Sequence, residues 1–141
     1  MEVTVKPEIN YWIVFLAAAV YYAGGAIWYS SNLFGNAWKS LEGINSDQME
    51  QKKKGRWKVF VIGFFAALIM SYILAHLINY THSDTFIKGI KTGFICWSGF
   101  IITTMLINNS FAGKSVKLLL INSGYHLYGL LVMGAILAVW S

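Results

Sequence analysis

Charge, proline and cysteine are all scarce in this sequence. Asp, Glu, Lys and Arg make up 12% of the chain, about half of the ~25% that is usual in soluble globular domains. The one proline, Pro7, precedes every long apolar stretch, so no stretch requires a proline kink. The one cysteine, Cys96, excludes a disulfide within the chain. These shortages exclude an ordinary soluble or disulfide-stabilised domain.

Long uncharged apolar stretches occupy most of the chain. At ~1.5 Å per residue, ~20 such residues cross the ~30 Å hydrocarbon core of a bilayer. A helix is the favoured conformation there because it satisfies its backbone polar groups internally. We therefore predict an all-α integral membrane protein, a four-helix bundle in a single domain. The predicted spans cover residues 10–30, 59–81, 92–113 and 118–140.

The first span has the alanine-rich core of a signal peptide. Its leader carries Lys6 between Glu2 and Glu8 where a signal peptide has a basic patch. Trp28 and Tyr29 also extend the apolar run beyond the small residues at which cleavage would occur. We therefore expect a retained span.

Lysine and arginine divide unequally between the two ends of the predicted spans. One end has Lys39, Lys52, Lys53, Lys54, Arg56, Lys58, Lys114 and Lys117, and the other has Lys6, Lys88 and Lys91. The positive-inside rule places the richer end in the cytoplasm and both termini outside. The net charge of +5 then reflects topology, and no nucleic-acid partner is expected.

The longest connection, between the first two spans, predicts a short amphipathic helix at about residues 45–56. Asn45 or Ser46 can cap it, and Asp47 and Glu50 suit its first turn. The basic cluster at 52–58 that follows is typical of a membrane anchor, and a regulatory lipid site is the alternative.

Catalytic and metal-binding patterns are missing from the spans. No span contains a carboxylate, which argues against an acidic proton relay or cation site. His76 and His126 would lie ~14 Å apart in depth on straight helices, too far to share a metal at ~2 Å ligand distances. We predict no metal and no cofactor.

Polar side chains collect at the cytoplasmic ends of the spans. These candidate ligand-binding residues are Trp28, Tyr29, Asn108, Asn109, Asn122 and His126. Within a bilayer such groups either bond to one another across helices or line a wet cavity. The second interpretation predicts a small-ligand pocket in which His126 is the ionisable member.

Small residues recur at the spacing of helix contacts. Gly89 and Gly93 form one small-xxx-small pair, Gly134 begins another, and Gly25 lies on the small face of the first span. Such faces serve packing within the bundle or contacts between subunits of a homo-oligomer.

Several of these residues fall in motifs that resemble a known family, the bacterial and archaeal membrane proteins called domain of unknown function 1761. The motifs are Gly25-Ala26-Ile27-Trp28-Tyr29-Ser30, Leu33-Phe34-Gly35, Trp97-x-Gly99-Phe100 and Gly124-Tyr125-His126. The resemblance implies four helices in a prokaryotic cytoplasmic membrane, and it implies no activity. Asn122 stands where the family often has an acid, so chemistry that needs this carboxylate is not expected.

Three functions fit these patterns. The first is a homo-oligomer that binds or transports a small uncharged or lipophilic ligand through the cytoplasmic-side polar pocket. The second is a membrane-embedded enzyme that uses His126 as acid or base, for which no accompanying catalytic set is found. The third is a structural subunit of a larger membrane complex. The sequence favours the non-enzymatic binder.

Overall fold

The computed structural model describes residues 9–30, 32–42 and 56–140, apart from the side chain of Arg56. Helices occupy most of these ranges: α1 (Tyr11–Trp28), α2 (Gly35–Glu42), α3 (Arg56–Tyr80), α4 (Phe86–Cys96), α5 (Ile102–Ala112) and α6 (Val116–Trp140). A five-residue π-helical turn, Trp97–Ile101, joins α4 to α5 without a break. The predicted helix at 45–56 lies almost entirely outside the described residues.

Four helical stretches are long and apolar enough to cross a membrane, which confirms the predicted fold class. They are Tyr11–Trp28, Trp57–Tyr80, Phe86–Ala112 and Val116–Trp140. Successive spans run in opposite directions. One end of the bundle, which we call the basic end, has the last residues of α1, the first residues of α3 and the turn 113–115. The opposite end carries the turn 81–85.

Local sequence accounts for where the spans begin and end. The Asn10 side chain caps α1 by accepting a hydrogen bond from the backbone N–H of Trp12 at 3.1 Å. Thr85 caps α4 in the same way from Lys88 at 3.2 Å, so this span begins ahead of the predicted residue 92. Gly113 ends α5 with φ +68°, a left-handed conformation that glycine adopts without steric cost.

The core forms where α6 packs against α1, α3 and α4. Half of the residues in an apolar 18-residue stretch of α6 are buried, against 6% in the corresponding stretch of the third span. Met133, Leu137, Ala17 and Ala18 lie at its centre. The third span is therefore held mainly along α4, and much of its remaining surface faces outward.

The contact between α4 and α6 is one of backbone against backbone. A Cβ on Gly89 would overlap the carbonyl oxygen of Gly134, and one on Gly93 would overlap the carbonyl oxygen of Leu130. Both residues are buried. Close approach of this kind increases van der Waals contact between membrane helices, which have little hydrophobic driving force to associate.

Gly89→Ala and Gly93→Ala are each expected to destabilise the protein by about 1–3 kcal/mol, because a backbone must move to admit the methyl group. Unfolding of the purified protein in mild detergent, followed by circular dichroism, measures this. Gly99→Ala is the matched control, since a Cβ there meets nothing within 4 Å. Equal stability losses at all three positions would contradict the proposed role of the close contact.

Candidate functional site

Aromatic side chains join α1 to α6 at the basic end. The Trp28 indole N–H donates to the backbone oxygen of Ile121 at 3.0 Å, and the Tyr29 hydroxyl donates to Asn122 Oδ1 at 2.7 Å. Gly124 makes room for the indole, because a Cβ there would lie 3.0 Å from it. These bonds fix the position and orientation of Asn122.

His126 lies deeper in the bundle and is held by tyrosines. Its Nδ1 hydrogen-bonds to the Tyr21 hydroxyl. Tyr125 donates to the backbone oxygen of Tyr21 at 2.8 Å, and the two tyrosine rings stack with centroids 5.0 Å apart. Among the described residues none hydrogen-bonds to the other ring nitrogen, Nε2. His126 lines a cavity of about 330 Å³ between α3, the π-helical turn, α5 and α6.

Three asparagines line a second cavity, of about 240 Å³, nearer the basic end. They are Asn108, Asn109 and Asn122. The Asn109 amide nitrogen donates to the backbone oxygens of Lys114 and Ser115, both at 3.1 Å. Since carbonyl oxygens can only accept, this fixes the orientation of the amide and leaves Asn109 Oδ1 without a partner among the described residues. We call this cavity the polar pocket.

An ion pair lies at the rim of the polar pocket. Lys114 Nζ is 3.5 Å from Glu42 Oε2, and both side chains are partly exposed. Such a pair contributes little stability. Its consequence is electrostatic, because the two charged groups lining the pocket cancel each other.

The cavities adjoin one another. The polar pocket and the His126 cavity share Met105 as a wall. A third cavity, of about 390 Å³, shares Met70, Phe100 and Ile101 with the His126 cavity. Its walls are aliphatic and aromatic side chains and the Cys96 thiol. The lining of the three cavities thus changes from polar groups at the basic end to apolar side chains farther into the bundle.

The π-helical turn forms part of this arrangement. The backbone N–H of Ile102 donates to the oxygen of Trp97, five residues back, where an α-helix would bond four residues back. The Trp97 indole N–H donates to the backbone oxygen of Ser123 at 2.8 Å, which holds the turn against α6. Phe100 and Ile101, within the turn, face the shared cavities.

The six predicted ligand-binding residues divide into two groups in the structure. Asn108, Asn109 and Asn122 line the polar pocket, and His126 lines the cavity next to it. Trp28 and Tyr29 lie behind them, bonded to α6, and line none of these three cavities. Among the predicted packing glycines, Gly25 lies against Tyr125, whose hydroxyl is 2.8 Å from where its Cβ would be.

Sequence reasoning missed three residues of the site. Tyr21 orients His126. The only trace of it in the sequence is Gly129, which has to be glycine because a Cβ there would overlap the Tyr21 ring. Glu42 and Lys114 form the rim pair. Lys114 was used only to orient the spans. Glu42 reaches the pocket because it ends α2, a helix that was not predicted because residues 9–38 carry no charge and its start looks like a continuation of the first span.

The described part of the chain contains no cluster of histidine or acidic side chains that could form a metal site. His76 packs against the Tyr72 and Tyr80 rings, away from His126. Within residues 9–30, 32–42 and 56–140, no three His, Cys, Asp or Glu side chains come together as metal ligands would.

The family described as protein of unknown function (DUF1761) matches residues 12–138, nearly the whole chain. The chain belongs to this family. The match confirms the resemblance and includes every residue of the polar pocket. No curated protein and no solved structure matches the chain. Membership in DUF1761 thus brings no activity with it, and the function has to be inferred from the geometry.

The Tyr29–Asn122 bond is expected to couple the two side chains by ~0.6 kcal/mol, the average for hydrogen bonds between membrane helices. A double-mutant cycle of Tyr29→Phe and Asn122→Leu, read by unfolding in detergent, measures the coupling. Tyr22→Phe is the control partner, because the Tyr22 hydroxyl donates to the Phe60 backbone oxygen instead. Coupling of the same size with Tyr22 would rule out a specific bond.

Proposed function

We propose that this chain is a multi-pass membrane protein that binds or transports a small uncharged or lipophilic molecule through the polar pocket. One observation carries the proposal. Asn109 Oδ1, Asn122 Nδ2 and His126 Nε2 have no hydrogen-bond partner among the described residues, although each belongs to a side chain that lines one of two adjoining cavities. These atoms are open to the cavities, where a ligand can supply the partners that polar atoms in a membrane require. The buried side-chain atoms without a partner in the described residues are His76 Nδ1 and Asn79 Nδ2, which line none of these three cavities.

The charges around the polar pocket favour an uncharged ligand. Glu42 and Lys114 neutralise each other at the rim. An anion would compete with Glu42 for Lys114, and a cation would compete with Lys114 for Glu42. The remaining polar groups, amides and an imidazole, offer both donors and acceptors, which suits hydroxyl, carbonyl or amide groups.

The contacts of His126 favour a binding role over catalysis. Its Nδ1 bonds to a tyrosine hydroxyl, whereas a general base is commonly oriented by a carboxylate. The stacked tyrosines hold the ring in place, so that Nε2 can meet a ligand group without prior reorganisation.

The distribution of lysine and arginine between the two ends of the spans indicates the orientation in the membrane. We propose that the basic end faces the cytoplasm of a prokaryotic cell, because lysine and arginine are concentrated in its connections. We further propose a homo-oligomer whose contact lies on the outward surface of α5, since none of the residues of α5 is buried within the described chain. The polar pocket would then open on the cytoplasmic side.

Ligand-dependent stabilisation tests the proposal. A panel of uncharged hydrogen-bonding molecules, including alcohols, amides and monoacylglycerols, is added to purified protein, and thermal unfolding is recorded. A ligand at about 100 times its Kd stabilises by ~2.7 kcal/mol. We expect His126→Ala and Asn109→Ala to weaken binding by about tenfold each, or ~1.4 kcal/mol.

Thr103→Ala is the control. Thr103 lies on α5 like Asn109, is exposed, and bonds to the Gly99 oxygen of its own helix. Each variant is compared with its own ligand-free unfolding. A panel that stabilises nothing, or stabilises all variants equally, would reject the pocket. Native mass spectrometry of the same samples is expected to show more than one copy per particle, and a monomer alone would reject the oligomer.

A further inference from the structure

The third cavity is a trough that opens sideways out of the bundle. It lies between α3 on one side and the third span on the other, and α6 forms its floor through Leu130. Ile69, Ile73 and Phe100 line it, yet 64%, 51% and 71% of their surfaces are exposed. Side chains that both line a cavity and remain exposed stand at its open side. In a bilayer, that side faces lipid chains.

The third span is packed unevenly along its length. Near the opposite end, Gly89 and Gly93 bring α4 into backbone contact with α6. Farther along, after the π-helical turn, none of the residues of α5 is buried. The span is thus tightly packed at one end and separates from its neighbours toward the other.

The trough and the two other cavities adjoin one another in series, since each shares wall residues with the next. At ~1.5 Å per residue, Asn122 lies ~9 Å from the basic end of α6, and Leu77 lies ~5 Å from the other end of α3. In helices ~37 Å long, the series therefore covers roughly 23 Å of depth. One leaflet contributes about half of the ~30 Å hydrocarbon core. The series is longer than one leaflet.

The two ends of the series differ in chemistry. The Asn109 and Asn122 amides and the His126 imidazole, each with one polar atom that has no partner among the described residues, lie toward the basic end, together with the neutral Glu42–Lys114 pair. Beyond Phe100 the walls are apolar. A molecule that fills the whole series has one uncharged polar end and one long apolar chain.

We propose that the series binds a single-chain amphiphile with an uncharged hydrogen-bonding head. The head occupies the polar pocket, the polar linkage between head and chain reaches His126 Nε2, and the chain lies in the trough, reached sideways from the bilayer. This inference rests on the proposed function and names the ligand class for the same site. The neutral lining of the polar pocket disfavours the charged heads of phospholipids.

Photolabelling tests the position of the chain. The probe is a long-chain monoacylglycerol with a diazirine halfway along its acyl chain, and the protein is full length in lipid nanodiscs. After irradiation, we expect mass spectrometry to find adducts on trough residues such as Ile73 and Phe100. Labelling is expected to saturate and to be displaced by excess unlabelled monoacylglycerol. Adducts spread evenly over lipid-facing residues and not displaced would show ordinary bilayer lipid and overturn the proposal.

Two substitutions on α3 provide a matched pair. Ile69→Trp places a large ring in the trough, whereas Ile62→Trp changes a residue of similar exposure, 68%, that lines none of the three cavities. We expect Ile69→Trp to weaken saturable labelling about tenfold, equivalent to ~1.4 kcal/mol, and Ile62→Trp to leave it unchanged. Ile73→Trp repeats the test if Ile69→Trp fails to fold. Equal effects of the trough variants and Ile62→Trp would overturn the proposal.

Head group and chain length separate this inference from the proposed function. The fatty acid of the same chain length should label the trough at least several-fold less, and equal labelling would overturn the choice of an uncharged head. If butyrylglycerol stabilises the protein as well as the long-chain ester does, and Ile69→Trp has no effect, the polar pocket stands and the trough inference fails. If His126→Ala and Asn109→Ala change neither ligand's binding, the proposed function itself fails.

Discussion

The backbone contact of α4 with α6 at Gly89, Gly93 and Gly134 determines how the rest of the third span lies. It holds one half of that span against the core, in a medium where apolar side chains gain little by leaving the lipid. The other half has no comparable contact, so α5 stands away from α3. Tight packing at one end and separation at the other together create the cavities from which the function is inferred.

Several hydrogen bonds between the helices share one pattern. Tyr22, Trp28, Trp97 and Tyr125 each donate from an aromatic side chain to a backbone oxygen on a neighbouring helix. A carbonyl has two lone pairs, so it can accept such a bond and keep its helical one. Aromatic donors thereby satisfy their polar tips inside the bundle while their rings fill space. Unused hydrogen-bonding capacity remains on the Asn109 and Asn122 amides and the His126 imidazole, and also on His76 Nδ1 and Asn79 Nδ2 of α3.

The sequence predicted the four spans and the family because both depend on features visible along the chain. Uncharged runs reveal spans, and motifs such as Trp28-Tyr29-Ser30 carry the resemblance. The π-helical turn had no such signal, since Trp-Ser-Gly-Phe-Ile contains no proline and suits a regular helix equally well. The trough was also invisible, because it arises from how two helices separate. Asn108, Asn109, Asn122 and His126 were found by comparing depths, whereas Tyr21 and Glu42 required contacts across more than 70 residues of chain.

The π-helical turn also sets a rotational phase. Each residue in an α-helix advances the next by about 100° around the axis. A turn that holds one residue more than the α-helical bonding pattern changes the face presented by everything after it. The extra residue in the Trp97–Ile101 turn therefore determines which face of α5 carries Asn108 and Asn109, and so directs both toward the polar pocket. The number of residues between Trp97 and Asn108 thus carries structural information that the residue types alone do not show.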